Sequence, residues 1–154
     1  MHLNGIEPRM AQSLSEKIFM AKLKRFLKLS DLTEIRTGFT FREKIEEVES
    51  GNAHVLQIKD IRNIATDTCS YTLFADALPQ IDWQGKDNAI VSPESVLLPC
   101  RGEYLKAHYF VGNQDQSKAL PLIVSSQFLI IMPNQNVVPE YLCWYLNQPH
   151  VQYE

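Results

Sequence analysis

The stretch "LIVSSQFLIIMP", Leu122 to Pro133, constrains this chain more than any other. It is the most apolar run in the sequence and is rich in the branched and aromatic side chains that favour strands. A run with no polar face belongs inside a sheet covered on both sides. Only its middle, Ser125-Ser126-Gln127, is polar. The run is therefore expected as a central strand pair or as one bent strand, with the rest of the chain supplying the flanking strands.

Shorter segments have the composition for that role. Ser30-Asp31-Leu32 looks like a turn, Thr33 to Thr37 like a short strand, and Gly38 permits a sharp bend after it. "AHVLQIKDI", Ala53 to Ile61, alternates: Val55, Gln57 and Lys59 face one way, Leu56 and Ile58 the other. It reads as a strand leading to a loop at Asp60 to Asn63. "CSYTLFADAL" holds another strand, ended by Pro79. Trp83 to Pro93 is loop-like with one apolar pair. Ser95 to Cys100 and Tyr104 to Val111 read as two strands joined by Arg101-Gly102-Glu103, and "GNQDQSKALP" as a polar loop.

Two segments have helical spacing instead. Over Arg9 to Leu29, Leu14, Ile18, Leu23, Phe26 and Leu27 recur on one side and lysines fill most of the rest. Ser13 and Glu16 have the capping-box spacing. This basic face suits solvent, a partner helix or phosphate, and the spacing does not choose among them. Pro139 to Leu146 opens on a proline in the first turn and is bounded by Asn147-Gln148-Pro149. Together these elements predict an α+β fold: a single mixed domain with a twisted, mostly antiparallel multi-strand sheet and helices near both ends. Residues 1–27 form an N-terminal tail and amphipathic helix, and residues 28–154 the globular part.

Charge and cysteine usage narrow the function. The net charge is -3, mildly acidic for a nucleic-acid binder. It is uneven: Met1 to Lys44 holds nine Lys/Arg against five Asp/Glu, and the remainder six against thirteen. Any anion-binding surface is therefore local. Cys69, Cys100 and Cys143 lie far apart with no zinc spacing, and an odd count without a secretory signal fits reduced thiols and a cytoplasmic location. No segment looks like a membrane span. The sequence has no nucleophile elbow, phosphate loop, zinc-protease motif or glycine-rich cofactor loop. Cys100 and His108 are a nucleophile pair only in principle, and Glu46, Glu47 and Glu49 read as a solvated face. No enzyme and no cofactor are expected of the chain itself.

Binding is the better fit. Arginine can donate two hydrogen bonds to guanine, glutamine and asparagine can do the same for adenine, and Lys, Ser and Thr position phosphates. Such residues gather where loops are expected: Arg36, Thr37, Thr40 and Arg42; Lys59, Arg62 and Asn63; Arg101 and Lys106; Gln114, Gln116, Ser117 and Lys118. Arg101 stands out, because a turn between two strands needs its glycine but not its arginine.

"LSDLTEIRTGFTF", "VLQIKDIRN", "VLLPCRGEYLKAHYF" and "SSQFLIIMPN…VVPEYLCWYLN" follow one another in an order that resembles the target recognition domain of type I restriction–modification specificity subunits. The matching features are Gly38-Phe39-Thr40 after the opening strand, Ile58 to Ile61, the Val96 to Gly102 hairpin and the Pro139 to Leu146 helix. They span about Lys28 to Gln148. The resemblance implies a sequence-specific module for double-stranded DNA, without catalysis. It docks a methyltransferase (modification) subunit that uses S-adenosylmethionine and, in the full system, a restriction subunit. The chain departs from the pattern twice. It has one recognition domain where a full subunit has two with spacer helices, as expected of a half subunit, a remnant or a fragment. A homodimer would recreate the two-domain arrangement. Phe41-Arg42 also stands where the family's opening turn has a proline. The alternative is an interaction protein that keeps the fold, docks a methyltransferase and has lost DNA binding.

Overall fold

A computed structural model of the chain describes residues 28–65 and 71–152. The helix expected over Arg9 to Leu29 lies, up to residue 27, outside them. The chain divides into two units, Met1–Leu32 and Thr33–Glu154. Of the first, the described part is a single helical turn, α1 (Leu29–Leu32), where the sequence indicated a turn. The Asp31 carboxylate accepts the Lys28 N–H at 2.8 Å.

The second unit is the mixed α+β fold the sequence predicts, and its strands divide between two sheets. The first sheet has the order β1-β9-β6-β7-β3, from β1 (Thr33–Thr37), β3 (Thr72–Phe74), β6 (Ser95–Pro99), β7 (His108–Gly112) and β9 (Phe128–Pro133). The second has the order β4-β2-β8-β5, from β2 (Ala53–Leu56), β4 (Gln80–Ile81), β5 (Ile90–Val91) and β8 (Leu122–Val124). Most neighbours are antiparallel; β2 with β8 and β3 with β7 are parallel.

The apolar run is thus a strand pair of an unusual kind. Its two halves, β8 and β9, lie inside different sheets, and Ser125-Ser126-Gln127 is the corner between them. Packing explains the split. Leu122, Val124 and Leu56 from one sheet meet Phe128, Ile130, Leu97 and Phe110 from the other in one core. Ala53, Val55 and Ile123 point the opposite way and are covered by Phe41, Ile45 and Trp83. Both faces of β2 and β8 are therefore buried, so β2 has no solvent side despite its alternation. Each fully buried Leu, Ile or Phe contributes roughly 1.5–3 kcal/mol, so this cover outweighs any single polar contact.

Three sequence expectations need correction. The strand read through Ile61 ends at Leu56, and Ile58–Ala65 is a helix, α2. Asp60, in its first turn, turns its carboxylate back to the Gln57 N–H at 2.8 Å, as the third residue of a capping box does. The apolar pair in the expected loop, Ile90 and Val91, is β5, the edge of the second sheet. Tyr104 to Ala107 are not in a strand, and β7 begins at His108. The helix expected at Pro139 is present as α3 (Pro139–Leu146), packed on β6 and β7, and a short α4 (Pro149–Gln152) follows.

Candidate nucleic-acid interface

The corner is where the candidate residues can be placed. The Phe128 N–H donates to the Ser125 carbonyl at 3.1 Å and closes the turn. Three other segments are then tied to it through their backbones. Phe39 donates to the Val124 carbonyl at 2.7 Å and accepts from the Ser126 N–H at 2.8 Å. The Ser125 N–H donates to the Leu56 carbonyl at 3.1 Å, and the Cys100 N–H to the Gln127 carbonyl at 2.9 Å. Gly38 makes the first of these possible. It passes so close to the Ser125 backbone that a Cβ would overlap the carbonyl. The stretches carrying Thr37 to Arg42, Lys59 to Arg62 and Arg101 therefore run out from one corner.

Not all their side chains are free. Arg36 donates to the carbonyls of Asn88 and Ile90, each at 2.9 Å, and so links edge strand β1 to the segment entering β5. Lys59 pairs with Glu47 and lies 3.4 Å from Asp60. Its hydrogen bond with Glu47 raises its pKa. Burial pushes the Asp60 carboxyl up, against the Gln57 N–H and Lys59, which favour its charged form. Lys106 donates to the Asn147 carbonyl at 3.2 Å. Thr37, Thr40, Arg42, Arg62 and Arg101 are exposed. The side chains of Arg101, Arg42 and Arg62 make no hydrogen bond or ion pair among the described residues.

The loop that carries Arg101 is wider than the tight turn expected. β6 and β7 pair only as far as Leu97 and His108, and residues 100–107 lie between the strands. Gly102, at φ 94°, turns the tip.

Lys118 belongs elsewhere. β7 runs away from the corner, and the loop after it lies at the opposite end of the strands. There the Asp76 carboxylate accepts the N–H groups of Asp115 at 2.8 Å and Gln114 at 2.7 Å, which hold its pKa below the usual range. Gln114, Gln116 and Ser117 sit in this second loop with Lys118, all exposed.

Sequence reading missed Gln127. It lies inside the most apolar run yet is exposed at the corner. The signal was present in the polar triplet Ser125-Ser126-Gln127, which breaks the run where the chain changes sheets. Cys100 and His108 have different partners: the thiol donates to the Gln127 carbonyl at 3.1 Å, and the imidazole Nδ1 lies 3.1 Å from the Lys106 carbonyl. His108 is buried beside Tyr71 and Tyr104, and burial lowers its pKa. Among the described residues no three His, Cys, Asp or Glu side chains are placed to hold a metal ion. Among them, too, no helix is long and apolar enough to cross a membrane.

Away from the corner, α3 buries Leu142, Cys143 and Leu146. Burial pushes the Cys143 thiol up to about 12. Tyr141, Trp144 and Tyr145 are exposed on the same helix, with Tyr141 5.5 Å from Trp144 and 6.5 Å from Tyr145 between ring centroids.

No family model matches the sequence, and no curated protein does. The fold matches that of the HsdS subunit from Thermoanaerobacter tengcongensis, with a TM-score of 0.57 at 14% identity. The match covers 83% of this chain and 28% of that one, so the chain spans under a third of its structural neighbour.

Proposed function

We propose that the chain is a target-recognition module of the type I restriction–modification specificity class, which reads double-stranded DNA and directs a methyltransferase subunit to its site. The observation that carries this reading is the convergence of three segments with exposed polar and basic side chains on one backbone-tied corner. The HsdS likeness in fold supports it, as does the motif order in the sequence. Base reading requires donors held in fixed register by a rigid support, and the corner is such a support. Arg101 and Gln127 are the proposed base readers. Thr37, Thr40, Arg42 and Arg62 are the proposed backbone contacts, since hydroxyl and guanidinium groups suit phosphate. Arg36, Lys59 and Lys106 are assigned structural duties. Lys118 is assigned no base contact, because its loop lies at the other end of the strands.

The test is selection of random duplex DNA by the purified chain, alone and with a methyltransferase subunit. Enrichment of a short motif, reduced by Arg101→Ala by about 1–3 kcal/mol, is the expected outcome. Binding that fades with salt and selects no motif would leave phosphate attraction alone and refute base reading.

A second reading is favoured by the exposed rings of Tyr141, Trp144 and Tyr145, a composition typical of interface anchors. On it the chain docks a methyltransferase subunit through α3 and does not bind DNA. Co-purification with that subunit and no retention of DNA in either format would establish it.

A further inference from the structure

The Arg101 loop is held at both ends, and its far end is held by α3. Asn147, at the C-terminus of α3, is buried at 7% exposure. Its Oδ1 accepts the Ala107 N–H at 2.7 Å, and its Nδ2 donates to the Ala107 carbonyl at 2.9 Å. One side-chain amide thus satisfies both backbone groups of one residue, as a neighbouring strand would. Two more contacts surround it. Lys106 donates to the Asn147 main-chain carbonyl, where a helix end carries unpaired acceptors and favours a cation. The Gln152 Nε2 donates to the Leu105 carbonyl at 3.1 Å and to the Leu146 carbonyl at 2.7 Å. Lys106 and Ala107 are therefore fastened to the end of α3, and Leu105 to Gln152 of α4, which is itself bonded to Leu146. Cys100 is fastened to the corner. Between them, Arg101 to Tyr104 make no hydrogen bond among the described residues.

We infer that Asn147 is the positioning residue of the Arg101 loop, and that base discrimination by Arg101 depends on it. The inference rests on the reading of Arg101 as a base contact. A guanidinium reads guanine only when two N–H donors meet O6 and N7 together. A loop fixed at one end would have to be ordered on binding, and that cost falls on the contact that needs geometry. Attraction to phosphate needs no such register and would persist. Asn147 lies forty positions from the residue it clamps, Ala107.

The test compares the full chain with its Asn147→Ala and Arg101→Ala variants by two measurements. The first is hydrogen exchange of the free proteins. Asn147→Ala should speed exchange at Ala107 by about tenfold, the scale of one lost buried hydrogen bond, and leave the amides of β6 and β9 unchanged. The second is the ratio of affinities for the selected site and a scrambled duplex. Asn147→Ala should lower this ratio by roughly tenfold with little change for the scrambled duplex, matching Arg101→Ala, whose exchange is normal. Gln152→Ala loosens the same clamp without emptying a buried site, and it should shift both measurements in the same direction if Asn147→Ala fails to fold. Faster exchange throughout the sheet would make Asn147 a general fold residue and overturn the inference. An unchanged ratio alongside a reduced one in Arg101→Ala would overturn it and leave base reading standing. No preferred site for the parent chain would overturn base reading itself, and the inference with it.

Discussion

Arg36 and Arg101 lie on segments that meet at the same corner, yet among the described residues the first commits its donors to protein and the second commits none. Arg36 stands on an edge strand opposite two backbone carbonyls, those of Asn88 and Ile90. Those carbonyls have polar needs of their own, and the guanidinium meets them while tying one sheet to the other. Arg101 projects from a loop whose backbone is held by the corner on one side and α3 on the other. Nothing around it needs an arginine. Charge alone does not separate the two residues; the neighbouring acceptors do.

The sharpest way to separate corner from loop is to add one methyl group to each. Gly38→Ala places a Cβ on the Ser125 carbonyl, and the nearest atoms it meets are all backbone of Val124 and Ser125. The expected loss is on the order of 3 kcal/mol, read from the urea midpoint. Gly102→Ala meets nothing within 4 Å among the described residues and suffers from the φ of 94°. That strain costs about 1–2 kcal/mol. Equal losses would show that the corner is no stiffer than the loop.

The arginines themselves come next. Arg36→Ala removes a charge-assisted donor from two carbonyls and should cost about 2 kcal/mol of stability, because the bond to Ile90 is partly buried although the one to Asn88 is exposed. Arg101→Ala should stay within about 0.5 kcal/mol of the parent, as an exposed residue with no partner among the described residues does. A large loss from Arg101→Ala would break the comparison, for it would mean that Arg101 also supports the fold.

A smaller effect distinguishes the base of the loop. Burial among Tyr71 and Tyr104 keeps the pKa of His108 below its ordinary 6.5. The unfolded chain therefore takes up that proton first. The contribution of His108 is complete above about pH 6.5 and is lost as pH falls from there through the lowered folded value. His108→Phe removes this titration. Its stability should fall less steeply over that range in urea titrations at successive pH values. An unchanged slope would place the acid sensitivity in other groups.

These contrasts also show what a sequence can and cannot display. The strand at Thr33 to Thr37, the hairpin strand at Ser95 and the Pro139 helix were legible, because each has its own local pattern. So was the apolar run, although not its division between two sheets, since burial on both faces looks the same in either. The helix at Ile58 was hidden because Val55 and Leu56 continue an alternation into it. The start of the helix is marked by Asp60, whose carboxylate accepts the Gln57 N–H, where the pairing of β2 with β8 has ended at Leu56. The site was half legible. Residue types drew attention to Arg101 and Arg36 alike, but which of them faces an empty surface depends on Asn88 and Ile90, more than fifty residues from Arg36. Gln127 was missed because a polar residue between two strands reads as a break in the strand rather than as an exposed tip.

The smallest effect concerns Lys59, which lies between the two cases: exposed like Arg101, and partnered like Arg36. Its partner Glu47 belongs to the acidic patch that offsets the basic segments. Glu47→Gln should change stability by no more than about 0.5 kcal/mol, since an exposed ion pair loses in side-chain ordering most of what it gains by attraction. Its effect on DNA should be larger in kind. With Glu47 neutral, Asp60 alone offsets the Lys59 charge, and the lysine is freer to engage a phosphate. Affinity for any duplex should then rise, and the salt dependence should steepen by up to about one counterion. The gain should be equal for the selected and scrambled sites, because a lysine on phosphate reads no base. A gain restricted to the selected site would instead make Lys59 a reader, and would put it beside Arg101 rather than Arg36.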